Sequence, residues 1–286
     1  MTPYKNRPPM DPETEVRRYL PLWPVVQLLK HSKLRLTLVD HLRQKYDPFE
    51  GSVPNQMMDD RVPLFSSTYM MMMDQVAAHY PGMATPRRPR PDPHVAATYR
   101  NLAKLVSAHV SCWTAGPESE GMWRLYCSDD GVRGRGVAIQ STLGTLEASV
   151  EPDDLAVSPI HYRYYHDADR TVFTDELDAF MNKRKGFEHE REVRLLRFNT
   201  DNYNSLANLL TNSAAGELPK TPPANLPVYL YLDWNPDKVI QKITISPYAD
   251  DTYEAVVREA IAWAAPAFSP RVEQSILDPR RFPAQH

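Results

Sequence analysis

Lys33-Leu34-Arg35-Leu36-Thr37-Leu38 alternates strictly, with leucines on one side and polar residues on the other. Period two is the side-chain period of a strand, so this stretch predicts a half-buried β-strand with its leucines against a core. Immediately before it, Pro21–Ser32 carries Leu22, Val25, Val26, Leu28 and Leu29 at helical spacing, and Pro24 falls in the first turn, where proline is tolerated. Val16–Leu20 reads as another short strand, so the chain opens strand, helix, strand. Further strands are expected at Val110–Trp113, Gly136–Gln140, Ile160–Tyr165, Val193–Phe198, Val228–Leu232 and Lys242–Ser246, all rich in β-branched and aromatic residues. Helices are expected at Ser66–Tyr80, His94–Ala108, Ser119–Cys127, Leu143–Val150, Asp175–Lys183 and Asp250–Ala265. Early helices followed by a strand-rich second half predict an α+β fold, with a mixed or antiparallel sheet and helices packed around it. The expected organisation is an N-terminal extension over 1–15, one domain over 16–265, and a tail over 266–286 that wraps the surface.

The 286 residues are 42% hydrophobic and 24% charged, with net charge −3 and a pI near 6.3, which are ordinary globular values. That balance gives no overall basic field of the kind that coats nucleic acid in bulk, although a local basic groove is compatible with it. Met1–Met10 has no apolar leader-like core, and no stretch reaches the roughly 18 apolar residues of a membrane span, so a cytoplasmic protein without a membrane partner is expected. The only cysteines, Cys112 and Cys127, lack C-x-x-C spacing and read as core thiols. Twenty-seven prolines against ten glycines predict many loops of fixed φ. Among them, Pro81–Pro93 holds Arg87, Arg88 and Arg90 and reads as a stiff solvated linker, with phosphate binding as the alternative. Met70–Met73 reads as adaptable core packing, and Leu209–Pro227 as a loop.

The most unusual segment is Lys183-Arg184-Lys185-Gly186-Phe187-Glu188-His189-Glu190-Arg191-Glu192-Val193-Arg194. On a strand it would place Glu188, Glu190, Glu192 and Arg194 on one face. Carboxylates so close together are costly unless cations or a ligand compensate them, which an active-site strand would exploit. The bland reading is a sheet edge whose charges face water. Asp47-Pro48-Phe49-Glu50-Gly51 reads as a turn that projects two carboxylates and an aromatic ring. His161 and His166 would point to opposite faces of a strand, so no metal pair is expected there. Neither a Gly-x-Gly-x-x-Gly nor a Walker loop occurs, which argues against those two modes of phosphate binding. The Asp pairs at 59–60, 129–130, 153–154 and 250–251 fit turns or helix starts, where carboxylates cap backbone N–H groups.

Several short motifs occur in one order: Arg18-Tyr19, Asp47-Pro48-Phe49-Glu50, Ser111-Cys112-Trp113, Met122-Trp123 with Tyr126, Gly136-Val137-Ala138-Ile139, and Lys183 with Glu190-x-Glu192-x-Arg194. Together, over about residues 16–260, they resemble a bacterial and prophage-borne family catalogued as a domain of unknown function. Tyr46 stands where that family usually has Asn, Cys127 where it has Ala, and Phe187 at a position commonly filled by Trp. The layout also looks like the ADP-ribosyltransferase fold.

That resemblance implies an NAD-using ADP-ribosyltransferase or NAD glycohydrolase, with a toxin or anti-phage role. NAD would be a substrate rather than a resident cofactor, the acceptor would be a protein or nucleic acid, and no metal is expected. Glu192 would stabilise the cationic ribose, and Glu190 would orient or deprotonate the acceptor. Arg18 would grip pyrophosphate, Ser111 or Ser141-Thr142 would supply the middle-strand hydroxyl, and Tyr19, Trp123 or Tyr126 would stack on nicotinamide. Arg194, Asp47, Glu50 and Lys183 would support the site. Two other readings compete. One is a Mg²⁺-dependent nuclease on Asp47, Glu50, Glu190 and Glu192. The other is a non-catalytic binding module in which Arg194 pairs with Glu50 or Asp47.

Overall fold

The computed structural model describes residues 6–51, 105–129, 131–150, 155–164, 177–199 and 227–281. The expected helix at 66–80, most of that at 94–108, the proline linker with its arginines, the methionine run, His166 and nearly all of the 209–227 loop lie outside these residues.

The chain opens as read, with β1 (Glu15–Leu20), α1 (Leu22–His31) and β2 (Lys33–Leu38), followed by α2 (Val39–Lys45). Leu34 and Leu36 are completely buried and Leu38 nearly so, while Lys33, Arg35 and Thr37 keep partial exposure. Next come β3 (Ala108–Ala115), α3 (Glu120–Tyr126), a short hairpin β4 (Ser128–Asp129) and β5 (Val132–Arg133), β6 (Val137–Thr142) and α4 (Leu143–Ala148). β7 (Leu155–Pro159), β8 (His161–Arg163), β9 (Asn182–Arg184) and β10 (Glu192–Phe198) lead to β11 (Tyr229–Asp233), α5 (Pro236–Val239), β12 (Lys242–Ile245), α6 (Asp251–Ala264) and β13 (Val272–Gln274). Among the described residues nine strands form one sheet in the order β11-β2-β3-β1-β6-β12-β13, with β10 joined to β3 and β7 to β10. Its pairings are antiparallel apart from β12–β13, so the architecture is α+β with a mixed, mostly antiparallel sheet.

β3 organises this sheet. β10 pairs with it continuously from Ala108 to Thr114 and fills one edge. The opposite edge is shared: β1 pairs at Thr114 and Ala115, whereas β2 pairs at His109 and Val110. β1 and β2 therefore splay apart across Ser111–Trp113, and the sheet forks there. On one side, α1 and α6 cover a core containing Leu34, Leu36, Trp113, Ile139, Val193, Val257 and Ile261. Burying each such side chain is worth about 1.5–3 kcal/mol, enough to hold a forked sheet together.

Several expectations are corrected. Asp175–Lys183 is not a helix: a 3-10 turn at Asp178–Phe180 runs directly into β9. Leu177 to Lys183 are buried without a break, which a helix covered on one side only cannot achieve. Of the expected strand Ile160–Tyr165, His161–Arg163 forms β8, which pairs with β9 and not with the main sheet. Pro159 ends β7, which among the described residues pairs only with β10, and proline is admissible on such an edge. The residues after 265 are not merely a surface wrap, since β13 adds a parallel strand beside β12 and Phe268 is buried in the core.

Other local readings stand. Asp250 caps α6 by accepting the Tyr253 N–H at 2.7 Å, and Asp129 accepts the N–H of Leu22 at the start of α1 at 2.6 Å. Cys112 and Cys127 are free thiols. Among the described residues no helix is long and apolar enough to cross a membrane. Phe268→Ala is expected to cost about 3–5 kcal/mol in denaturant unfolding, as core phenylalanines do. A cost under about 1 kcal/mol would mean that the segment after 265 does not belong to the core.

Candidate active site at the sheet fork

Lys185–Glu190 is a 3-10 turn that ends at Arg191, whose φ of +42° lies in the left-handed region, and β10 begins only at Glu192. The run from Glu188 to Arg194 is therefore not one strand. Glu188 is exposed and pairs with Lys185, whereas Glu190 and Glu192 are both turned inward and buried. β10 is not a solvated edge either, because it lies between β3 and β7. Glu192 stands opposite Thr114 and Arg194 opposite Cys112, so all four face the same side.

A dense ionic network results. Arg194 is completely buried; its Nε donates to Glu192 Oε1 at 2.7 Å, and its Nη1 donates to Glu50 Oε1 at 2.7 Å and to the Phe180 carbonyl. Lys183 Nζ donates to Glu190 and, at 3.1 Å, to Glu192 Oε2. The Tyr126 hydroxyl donates to Glu190 Oε1 at 2.6 Å, and the backbone N–H of Glu192 donates to the Tyr162 hydroxyl at 2.6 Å. Asp47 accepts from Arg184 at 2.7 Å, which ties the Asp47–Gly51 turn to the strand before the 3-10 turn. Gly51 closes that turn at φ +66°, and a Cβ there would meet Leu105 at 2.5 Å.

In formal charge, Glu50, Glu190 and Glu192 outnumber Lys183 and Arg194 by one. Burial pushes the Glu192 carboxyl up, but Arg194 and Lys183 outweigh it and hold the group well below the usual carboxylate range. Burial likewise works against the Lys183 ammonium, and Glu192 and Glu190 more than restore it. The Tyr126 hydroxyl is pushed up by burial and by Glu190, so it stays a neutral donor.

These groups line a cavity of about 520 Å³, within the range of small-molecule sites. Arg18, Tyr19, Asp47, Glu50, Tyr126, Lys183, Glu190, Glu192 and Arg194, all singled out in the sequence, line it. Arg18 sits at the fork, where its Nη2 donates to the Arg35 carbonyl at 3.2 Å. Burial first and Arg35 second lower its pKa to about 10. Among the described residues neither Arg18 nor Arg35 forms a salt bridge, so the cavity joins an uncompensated cationic wall to a carboxylate-rich one.

Two expected residues do not reach the cavity. Ser111 lies on the opposite face of β3, buried, and accepts from the Trp113 indole at 3.2 Å. Trp123 is completely buried, its ring 4.8 Å from that of Tyr19 in an edge-on packing, and is a core residue. Ser141 is also buried, and Thr142 caps α4, so neither replaces Ser111. The β3 hydroxyl residue on the Glu192 face is Thr114, and Arg35 joins Arg18 in the cavity wall; the sequence singled out neither. Alternation along β3 fixes the parity, but only the register with β10 reveals which parity shares the Glu192 face. Tyr19 lines the cavity while its hydroxyl accepts the Ser119 N–H; burial pushes its pKa up to about 12.

Among the described residues no group of three or more His, Cys, Asp or Glu side chains is arranged to hold a metal ion. Compared with protein-family models, with curated proteins and with solved structures, the chain matches none.

Glu50→Ala should destabilise the fold by about 3–5 kcal/mol, because it removes one of the two carboxylates that compensate a buried guanidinium. Glu192 has a lower pKa folded than unfolded, so its contribution is complete above about pH 4.3 and is lost as the pH falls further. Denaturant titrations should thus show a steeper acid-side loss of stability in the wild type than in Glu192→Gln. Equal slopes would mean that Glu192 is not held ionised.

Proposed function

We propose that this chain is an NAD-using ADP-ribosyltransferase or NAD glycohydrolase, on a fold of the ADP-ribosyltransferase kind. The observation that carries the reading is a buried carboxylate, Glu192, held ionised at one end of a cavity whose other wall presents Arg18 and Arg35 without carboxylate partners. A molecule with a diphosphate beside a ribose that becomes cationic fits both halves.

In this reading Arg18 and Arg35 hold the pyrophosphate, and Tyr126 and Tyr19 flank the nicotinamide. The bond between ribose C1′ and the nicotinamide nitrogen breaks, and its electron pair leaves with nicotinamide. Glu192 stabilises the resulting oxocarbenium character, aided by the excess negative charge of the cluster. Water or an acceptor then bonds to C1′ and gives its proton to Glu190 or to solvent. Lys183, Arg194 and Glu50 keep Glu192 charged and aimed. Thr114, rather than Ser111, supplies the hydroxyl beside the reacting ribose. A toxin or anti-phage role follows from the prophage-borne family that the sequence resembles.

One observation favours the non-catalytic module instead: the Arg194–Glu50 pair it anticipates is formed. The nuclease reading has no such support, since Asp47, Glu50, Glu190 and Glu192 are each already paired with a cation. Glu192→Gln decides between enzyme and module. It preserves shape while removing charge, so nicotinamide release should fall by roughly 10²-fold or more with little change in KM. If wild-type protein releases no nicotinamide and Glu192→Gln only lowers the melting temperature, the network is structural.

A further inference from the structure

The face that carries Glu192 does not stop at β3. Val110 pairs with Thr37 of β2; Thr37 and Arg35 in turn stand opposite Tyr229 and Tyr231 of β11. One surface therefore runs from β10 across β3 and β2 to β11, three strand spacings or roughly 14 Å. Its far end is rich in open rings: Tyr46 is 68% exposed, Trp23 62% and Tyr231 56%.

Cations are interleaved with these rings. The Arg35 guanidinium lies 4.8 Å from the Tyr229 ring centre, and Lys45 Nζ lies 5.1 Å from that of Tyr46. Beside the main cavity, and sharing Arg18 and Arg35 with it, is a second one of about 360 Å³. Trp23, His31, Lys33 and Tyr231 line it, and among the described residues no carboxylate does; the Lys33 ammonium pairs with Asp233. In a chain of net charge −3 this is marked local segregation of charge.

We infer that the β2–β11 face, with Tyr46 and Trp23, binds single-stranded nucleic acid and presents it to the cavity as the ADP-ribose acceptor. A dinucleotide offers two bases, fewer than the open rings here. An acidic peptide would use the cations and leave the rings idle, and a duplex keeps its bases stacked on each other. A single strand supplies both phosphates for the cations that the NAD pyrophosphate does not engage, Lys45 among them, and unstacked bases for the rings. The transfer step rests on the NAD reading: the ribose–nicotinamide bond breaks, C1′ bonds to a base or terminal-phosphate atom, and any proton displaced goes to Glu190 or solvent. Binding does not rest on it.

Fluorescence anisotropy without NAD tests the surface, using DNA and RNA strands of about 12 nucleotides and a duplex of the same sequence. Single strands of at least one kind should bind better than the duplex, with affinity falling as salt rises. The exposed-ring double variant Trp23→Ala, Tyr231→Ala should bind about tenfold or more weakly, with unchanged melting temperature and unchanged acceptor-free NAD hydrolysis. Absent binding, equal binding by wild type and variant, or a preference for duplex would overturn the inference. Ring-dependent binding without NAD cleavage would leave the surface standing and remove the NAD reading. NAD cleavage without strand binding would do the reverse.

Discussion

A guanidinium with no exposure to solvent is expensive to bury, and Arg194 is tolerable only because Glu192 and Glu50 accept from it on different nitrogens. That requirement ties together parts distant in sequence. Glu50 must arrive on a turn closed by Gly51, Glu192 must start β10 just after the left-handed Arg191, and Phe180 must present its carbonyl from a 3-10 turn. Lys183 then balances the second oxygen of Glu192 and draws in Glu190. The network thus fixes both fold and site, because the same ion pairs that offset the burial cost also orient the two carboxylates. Among the described residues Arg194 Nη2 is buried without a partner, which leaves the cluster short of full satisfaction.

The fork in the sheet supplies the complementary half. A single strand along the free edge of β3 would close the surface; two strands that pair at its ends leave a gap, and Arg18 reaches Arg35 across it. Burial first, and the nearby Arg35 second, disfavour the charge of Arg18 and lower its pKa to about 10. An anion bound between the two arginines would offset this. Cation at one end and anion at the other is a polarity suited to a ligand that is itself polarised along its length.

Much of the framework was legible because its periodicity is local. The alternation of Lys33–Leu38 and the helical spacing of Pro21–Ser32 needed no tertiary knowledge, nor did the Asp250 cap. The charged site was legible for a different reason, since so many carboxylates close to Lys183 and Arg194 required compensation. Register was not legible. It decides that Thr114 rather than Ser111 shares the face of Glu192, and that Arg35 lines the cavity rather than open water. Trp123 could not be told from a stacking ring by type alone, because a completely buried indole and a ligand-facing one have the same composition. The 177–183 stretch defeated periodicity altogether, since continuous burial carries no period to read.

The most direct measurement is the melting temperature of the wild-type chain with NAD, compared with nicotinamide alone and with Mg²⁺. On the NAD reading, NAD stabilises the fold, by about 2.7 kcal/mol at one hundred times its Kd, and nicotinamide alone does much less. An unchanged melting temperature at millimolar NAD, alongside a clear rise with Mg²⁺, would contradict it and move the four carboxylates to a metal-binding role.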